Sequence, residues 1–264
     1  MIDIHHHCLP GVDDGPRDLA EAADLCAMAA AEGIETIVAT PHVLRERWPT
    51  FSREELQAKF DELVARVGDT PRLLLGSEYF FSHDMAELLQ EGKTILPLAG
   101  SRYVLLELAA NSVPPLIEQP FYRAQLAGWT PIIAHPERNV VLQSRPDVLA
   151  YLIGHGARTQ LTATSLTGAF GSAARKAAET FLRLQLVHFV ATDAHNTSKR
   201  PPVMGDALNA LRSLVGESVT EALTVENPRA VVENRPLPWD PEPQEEATGG
   251  FFTRVKSFFG RGQA

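Results

Sequence analysis

Apolar and polar residues follow two patterns along the chain, short apolar runs and longer amphipathic segments. Seven runs have the aliphatic and β-branched content and the Gly, Pro or polar boundaries of strands: Ile2–His7, Ile34–Thr40, Arg72–Glu78, Arg102–Leu108, Pro131–His135, Thr159–Thr164 and Val187–Thr192. Apolar residues at helical spacing predict four helices between them: Asp18–Glu32, Phe51–Val67, Pro115–Ala127 and Gly168–Leu184. Ser52 and Glu55 have the spacing of a capping box at the start of the second helix.

This alternation predicts the fold class. Strands that alternate with helices indicate an α/β protein whose parallel strands are joined by crossover helices. Seven strands in one chain favour a closed or nearly closed barrel over a sandwich. We therefore expect one barrel domain over residues 1–236.

The C-terminal region has a different composition. Residues 237–250 are rich in proline, acidic residues and glycine, which predicts a linker. Residues 251–264 place phenylalanines at helical spacing between basic residues. One interpretation of this tail is a short helix that docks on the barrel. Another is a basic amphipathic contact for an anionic membrane surface or an acidic partner. A third is a disordered end.

Charge and composition exclude several classes of protein. The chain has 264 residues, with 24 Lys and Arg against 33 Asp and Glu, so the formal net charge is −9. Such an acidic chain is a poor candidate for a nucleic-acid binder. Its two cysteines cannot form a disulfide framework, and the sequence has no apolar run long enough for a membrane span and no secretory signal. We expect a cytoplasmic protein, with any membrane association mediated by a partner.

Ionisable side chains lie at or near the carboxyl ends of six of the seven predicted strands. They are His5, His6 and His7, His42, Glu78, Glu107, His135, Asp193 and His195. In a parallel barrel these ends meet on one face, where active sites are built. Burying so many ionisable groups together is costly without a cation. Histidines and carboxylates without thiolates suit Zn, Mn or Fe, so the pattern predicts a multinuclear metal site rather than a zinc finger.

The first strand and the loop after it leave two questions open. Strand alternation puts His5 and His7 on one face and His6 on the other, so His5 and His7 are read as a ligand pair. An affinity-tag remnant is the alternative, but these histidines lie within an apolar strand. Asp13 and Asp14 follow in a turn-rich loop. Either could reach the metals, or both could simply favour the next helix N-terminus.

Two arginines follow ligand-bearing strand ends. Arg138 comes three residues after His135, and Arg200 lies in the loop after the last predicted strand. A guanidinium beside metal ions suits a bidentate hold on phosphate oxygens, whereas a solvated loop charge is the ordinary alternative. The remaining histidines have no such context. We expect surface or packing roles for His83 and His155 and a structural role for His188.

These motifs together resemble a known family. In chain order they are DIHHHCLPGVDDGP, IVATPHV, GSEYF, VLLEL, PIIAHPERN, ATDAHNTSKRPP and ENPRAVVENR, and they extend from Met1 to Asn234. The set is similar to the polymerase and histidinol phosphatase (PHP) superfamily and, within it, to the CpsB/CapC (YwqE-like) tyrosine-protein phosphatases. The resemblance implies a distorted (β/α)7 barrel of PHP type, with its active site at the carboxyl ends of the strands.

The resemblance also implies three groups of metal ligands. They are His5, His7, Glu78 and Asp193; then Glu107 and His135, with Glu78 shared; and then Asp14, His42 and His195. It thereby favours Asp14 over Asp13. Two to three divalent ions are implied, with Mn²⁺ as the first expectation and Fe or Zn as alternatives. Arg138 and Arg200 match arginines that contact phosphate in the family.

The implied activity is metal-dependent hydrolysis of phosphotyrosine. The implied partner is the phosphotyrosine tail of a bacterial tyrosine kinase that controls capsule or exopolysaccharide synthesis. A phosphocysteine route is not expected, because Asp14 stands six residues after Cys8 and Glu32 six after Cys26, so neither cysteine begins a Cys-x5-Arg loop.

Three alternatives compete with this activity. The chain could be a PHP small-molecule phosphatase of the histidinol-phosphate type. It could be a PHP nuclease or phosphodiesterase, which the net charge of −9 disfavours. It could also be a non-catalytic, metal-stabilised scaffold that binds the kinase through its phenylalanine-rich tail. The sequence leaves the cognate kinase, the general acid and the oligomeric state open.

Overall fold

Strands and helices alternate through nearly the whole computed structural model, which describes residues 1–92, 95–241 and 243. The strands are β1 (Ile2–His6), β2 (Thr36–Ala39), β3 (His42–Val43), β4 (Arg72–Leu75), β5 (Glu78–Phe80), β6 (Tyr103–Glu107), β7 (Thr130–Ala134), β8 (Arg158–Thr162) and β9 (Phe189–Ala191). The helices are α1 (Leu19–Ala31), α2 (Arg53–Val67), α3 (Met85–Glu91), α4 (Glu118–Leu126), α5 (Val140–Ser144), α6 (Pro146–Gly154), α7 (Ala163–Leu166), α8 (Gly171–Arg183), α9 (Gly205–Glu221) and α10 (Asn227–Val232). The predicted tail 251–264 lies outside the described residues.

Two of the seven predicted strands are interrupted. The run Ile34–Thr40 contains β2 and is followed at once by β3, while Arg72–Glu78 contains β4 and the start of β5. Pro41, which has no N–H to donate to a ladder, separates β2 from β3. Gly76 separates β4 from β5, and a Cβ there would lie only 3.0 Å from the Leu98 side chain. Seven sequence runs therefore give nine shorter strands.

The strands close into a ring. All pairings are parallel, in the orders β1-β2-β4 and β3-β5-β6-β7-β8-β9, and the interrupted runs belong to both sheets. His6 forms a parallel bridge to Ala194 beyond β9, and the Asp193 N–H donates to the His5 carbonyl at 2.9 Å. The first and last runs are therefore neighbours, and the predicted distorted barrel is confirmed.

Apolar residues pack in an inner and an outer layer. Leu105 of β6 and Ile132 of β7 belong to a small cluster inside the ring, whereas Val104 and Leu106 belong to the larger cluster that includes residues of the surrounding helices. This division follows from the alternation of side chains along a strand. None of the described helices is long and apolar enough to cross a bilayer.

Helices α1 and α2 begin where the sequence predicts. Asp18 caps α1 by accepting hydrogen bonds from two backbone N–H groups of the first turn. At α2 the Glu55 N–H donates to Ser52 Oγ at 3.2 Å, and the Ser52 N–H donates to Glu55 Oε2 at 2.7 Å. The capping box is confirmed.

The end of the described chain covers the amino-terminal end of the barrel. Leu237 packs against the inner cluster, and the Tyr103 hydroxyl, at the start of β6, donates to the Arg235 carbonyl at 2.7 Å. Arg158, at the start of β8, donates to Asp240 at 2.6 Å. The residues 234–240, called the strap below, thus lie across the strand starts, opposite the strand ends that carry the ionisable residues.

Candidate metal centre

The nine predicted ligand residues lie together at the carboxyl ends of the strands. Within the described residues, atoms that could hold a metal ion lie within 4.8 Å of one another in four overlapping groups: His7, Asp14, His42 and His195; His5, Glu78 and His135; His5, His7 and Asp193; and His42, Glu78 and Glu107. Most of these side chains are buried, while the Asp14 side chain is 41% exposed at the mouth. Folding therefore gathers residues that are far apart in the sequence.

Glu78 lies at the centre of the cluster. Its Oε2 is 3.3 Å from the Nε2 atoms of both His5 and His7 and 3.0 Å from His42 Nδ1. Its Oε1 is 3.0 Å from His135 Nε2. Oε2 is fully buried and accepts no hydrogen bond of good geometry from any described residue. A buried carboxylate oxygen faced by three ring nitrogens fits a site for divalent cations.

The groups differ from those that the resemblance implies. His7 also joins Asp14, His42 and His195, and Glu78 is absent from the group of His5, His7 and Asp193. The resemblance puts Glu107 and His135 on one ion, together with Glu78. In the structure Glu107 groups with Glu78 and His42, whereas His135 groups with Glu78 and His5. Glu78 still joins the two, but Glu107 and His135 belong to different groups.

Burial and opposite charges shift the ionisation of the cluster. Burial raises the pKa of Glu78, but the neighbouring imidazoles outweigh it and hold this pKa well below its ordinary value. Burial lowers the pKa of His7, yet the carboxylates of Asp13 and Glu78 raise it to about 10. Burial and the charge of His7 lower the pKa of His195 to about 4. Cations that bind here would take the place of these protons, so metal affinity would depend on pH.

Two polar side chains hold the first pair of imidazoles. Asp13 Oδ2 is 2.8 Å from His7 Nδ1, and Gln160 Oε1 is 2.7 Å from His5 Nδ1. These bonds leave the two Nε2 atoms facing each other, 3.1 Å apart. A metal-bound histidine usually has such a partner on its other nitrogen.

The two acids of the first loop thus have different positions. Asp14 lies in a candidate metal group, as the resemblance implies, while Asp13 contacts His7 from behind and accepts the His42 N–H at 3.0 Å. Sequence reasoning missed Gln160. Its one signal in the sequence is an amide side chain within the predicted strand Thr159–Thr164.

His6 has a separate place. It is fully buried, belongs to none of the four groups and has no hydrogen-bond partner for either ring nitrogen among the described residues. The first strand also carries an irregularity between Asp3 and His6, which shifts its register against β2.

Two residues of the cluster have unusual backbone conformations. His135 has φ of 34° and directly follows β7. Asp193 has φ of 52° and lies shortly after the end of β9. Left-handed conformations are uncommon for residues other than glycine and cost about 1–3 kcal/mol. Strain of this kind concentrates at functional sites, and here it falls on two members of the cluster.

The predicted arginines border the same cluster. Arg138 and Arg200 both donate to Asp193 Oδ2, the latter at 2.6 Å, and Arg200 Nη1 is 3.8 Å from Asp14 Oδ2. They line one cavity of about 440 Å³ with most of the cluster: Asp14, His42, Arg45, Arg47, Trp48, Glu78, Glu107, His135, Arg138, Asp193 and Arg200.

Three residues of this cavity were not predicted. Arg45, Arg47 and Trp48 lie in the loop between β3 and α2. Arg45 pairs with Glu107, and the Arg47 guanidinium is 5.1 Å from the centre of the Trp48 ring. Their position could have indicated them, because they follow soon after His42 in a loop at the carboxyl ends of the strands, where barrel enzymes build their sites.

The other histidines lie outside the cluster. His83 and His155 are exposed and contact backbone carbonyls of Pro115 and Tyr151. His188 is buried at the amino-terminal end of the barrel, beside the strap.

Comparison with known proteins identifies relatives along nearly the whole chain. The family model described as capsular polysaccharide synthesis, CpsB/CapC, matches residues 1–233. The putative tyrosine-protein phosphatase CapC of Staphylococcus aureus is 38% identical over 214 residues, which cover 79% of this chain and 82% of that protein. The tyrosine-protein phosphatase YwqE of Bacillus subtilis is 35% identical over 240 residues, covering 90% and 93%.

A solved structure agrees with these matches. It comes from work on YwqE of Bacillus subtilis and CpsB of Streptococcus pneumoniae, described as unique metal-dependent tyrosine phosphatases. It superposes with a TM-score of 0.88 at 33% sequence identity and covers 93% of this chain and 99% of its own. Sequence and fold therefore agree over the barrel and its ionisable cluster, and the chain belongs to the CpsB/CapC family.

Proposed function

We propose that this chain is a metal-dependent protein-tyrosine phosphatase that hydrolyses phosphotyrosine. The observation that carries the proposal is the cavity in which histidines and carboxylates without thiolates meet the predicted arginines Arg138 and Arg200. Relatives that cover most of the chain are named tyrosine-protein phosphatases, which supports the same reaction.

The cluster would hold two to three divalent ions, through His5, His7, Asp14, His42, Glu78, Glu107, His135, Asp193 and His195. When bound, such ions supply a water of lowered pKa and neutralise charge on phosphate. We propose Mn²⁺ as the native metal, with Fe and Zn as alternatives that the same ligand types accept.

The protein's own groups would position the phosphate. Arg138 and Arg200 would bind its non-bridging oxygens, where charge must be stabilised during transfer. Asp13 and Gln160 would keep the His7 and His5 rings in orientation. The conjugate acid of the departing phenolate has an ordinary pKa of about 10, so the phenolate leaves more readily than an alkoxide.

Cysteine has no part in this proposal. Cys8 and Cys26 are both buried and outside the cavity. The enzyme should therefore keep its activity after treatment with a thiol-alkylating reagent and lose it after treatment with a chelator.

The proposed substrate is the phosphotyrosine tail of a bacterial tyrosine kinase that controls capsule or exopolysaccharide synthesis. The family description, capsular polysaccharide synthesis, supports this choice. We further propose that the protein acts in the cytoplasm. A contact of the tail 251–264 with a membrane surface or a partner stays a prediction from the sequence.

The test compares two substrates on protein reconstituted with Mn²⁺. We expect hydrolysis of a phosphotyrosine peptide to exceed that of histidinol phosphate by at least tenfold, and to stop when a chelator is added. Arg138→Ala should lower kcat/KM by about tenfold or more, because the substitution removes a charge-assisted hydrogen bond to the phosphate. Faster hydrolysis of histidinol phosphate would favour the small-molecule phosphatase. No hydrolysis at all would favour the scaffold.

A further inference from the structure

One aromatic ring lies under two of the four arginines that line the cavity, Arg138 and Arg200. The guanidinium carbon of Arg138 is 4.6 Å from the centre of the Phe170 ring, and that of Arg200 is 5.9 Å from it. Three different loops meet here, because Arg138 follows β7, Phe170 lies between α7 and α8, and Arg200 follows β9. Both distances are within the range of a cation–π interaction.

Ring and carboxylate together restrain the two guanidiniums. Arg138 and Arg200 donate to the same oxygen of Asp193, so two positive charges share one acceptor. Asp193 is also a member of a candidate metal group. The contact with Phe170 restrains both arginines without using a carboxylate oxygen of a candidate metal ligand.

The loop that carries Phe170 is itself ordered by backbone hydrogen bonds. The Ala169 N–H donates to the Thr164 carbonyl at 3.0 Å, and the Gly171 N–H donates to the Gly168 carbonyl at 2.9 Å. Gly168 and Gly171 have φ of 88° and 87°, conformations that side chains other than glycine rarely adopt. The turn thus orders the backbone that carries the ring.

We propose that Phe170 is a positioning residue for phosphate binding, whose ring holds Arg138 and Arg200 side by side. Long arginine side chains lose conformational freedom when they bind, and a ring that holds the planar guanidiniums in advance reduces that loss. The proposal rests on the phosphate-binding role proposed above for the two arginines. It adds a residue that acts on phosphate only through them.

The first experiment replaces the ring. In the metal-loaded protein, Phe170→Leu should lower kcat/KM for a phosphotyrosine peptide about tenfold and weaken the binding of inorganic phosphate by a similar factor. Phe170→Tyr, which keeps the ring, should stay within about twofold of wild type. The metal content of both variants should equal that of wild type. Phe51→Leu is the matched control, because it removes a Lys59–ring contact of 5.7 Å outside the cavity.

Double-mutant cycles test whether Phe170 affects phosphate binding through the two arginines. If Phe170 acts through the arginines, Phe170→Leu should weaken phosphate binding less in an Arg138→Ala background than in wild type, and least when Arg200→Ala is added. Equal losses in all backgrounds would overturn the proposal, as would normal phosphate binding by Phe170→Leu alone. If Arg138→Ala and Arg200→Ala both bind phosphate normally, the proposed role of the arginines fails, and the inference with it.

Discussion

At the scale of single residues, the site depends on contacts behind the candidate ligands. Asp13 bonds to His7 Nδ1, accepts the backbone N–H of His42 and accepts that of Gly15 at 2.9 Å. One carboxylate thus connects the first loop to two candidate ligands. The consequence is that residues which never touch a metal should still control its affinity.

Asp13→Asn tests this consequence. The amide keeps the size of the side chain but removes the charge that raises the pKa of His7. We expect Mn²⁺ affinity to fall by about 10- to 100-fold, as is typical when the partner of a ligating histidine is lost. Metal titration of the purified variant measures the effect. Wild-type affinity would mean that His7 needs no partner to be oriented.

Gly15 is a second such position. A Cβ there would lie 2.5 Å from the His7 carbonyl oxygen, so the backbone of the loop would have to move. We expect Gly15→Ala to destabilise the protein by about 1–3 kcal/mol, which is typical of a steric clash, and to reduce bound metal. Urea unfolding and metal analysis check both effects. Gly154→Ala, at the end of α6 where a Cβ meets nothing within 4 Å, should neither destabilise the protein nor reduce bound metal.

At the scale of elements, helix α2 follows the loop that carries Arg45, Arg47 and Trp48. Its start is fixed by the reciprocal hydrogen bonds of Ser52 and Glu55. The cap therefore also fixes where the preceding cavity loop ends. We expect Ser52→Ala to lower the free energy of unfolding by about 1 kcal/mol.

Urea unfolding measures this cost. Ser213→Ala is the matched control, because Ser213 lies within α9 and its hydroxyl donates back to the Asn209 carbonyl of the same helix. Alanine at such a position should be neutral or slightly stabilising. Equal effects of the two substitutions would show that the cap does not stabilise α2.

Elements also show how far the sequence could predict this structure. The strand and helix periods are local signals, and the ionisable residues at strand ends share one face because all strands run parallel. The need for glycine at position 76 could not be read this way, because it arises from the closeness of Leu98. The same is true of Gln160 behind His5, which connects two strands, and of Phe170 beneath the arginines, which connects loops remote in sequence. Local patterns do not encode such contacts.

At the scale of the whole molecule, the two ends of the barrel differ in the residues that they carry. Candidate ligands occupy the carboxyl ends of the strands, while the strap covers their amino-terminal ends. There Asn227 Nδ2 donates to the carbonyls of His188 and Trp239, and Asp240 lies 3.3 Å from His188 Nε2. Acid should therefore weaken the fold at an end that holds no candidate ligand.

His188 is the residue that we expect to make folding stability depend on pH. Burial lowers its pKa from 6.5 to about 4, and the Asp240 carboxylate offsets burial only in part. Below pH 6.5 the unfolded chain takes up a proton that the folded protein accepts only near pH 4. Folding stability therefore falls with decreasing pH in this window, by about 2 kcal/mol between pH 7 and pH 5.

His188→Gln should remove this loss, because glutamine does not titrate. Urea unfolding of wild type and variant at pH 7 and pH 5, both with chelator, measures the difference between the two proteins. The candidate metal cluster titrates equally in both, so its contribution cancels when the two are subtracted. We expect the stability of wild type relative to the variant to fall by about 2 kcal/mol on acidification. An unchanged difference would mean that His188 is protonated alike in the folded and unfolded chain, and that burial does not keep it neutral.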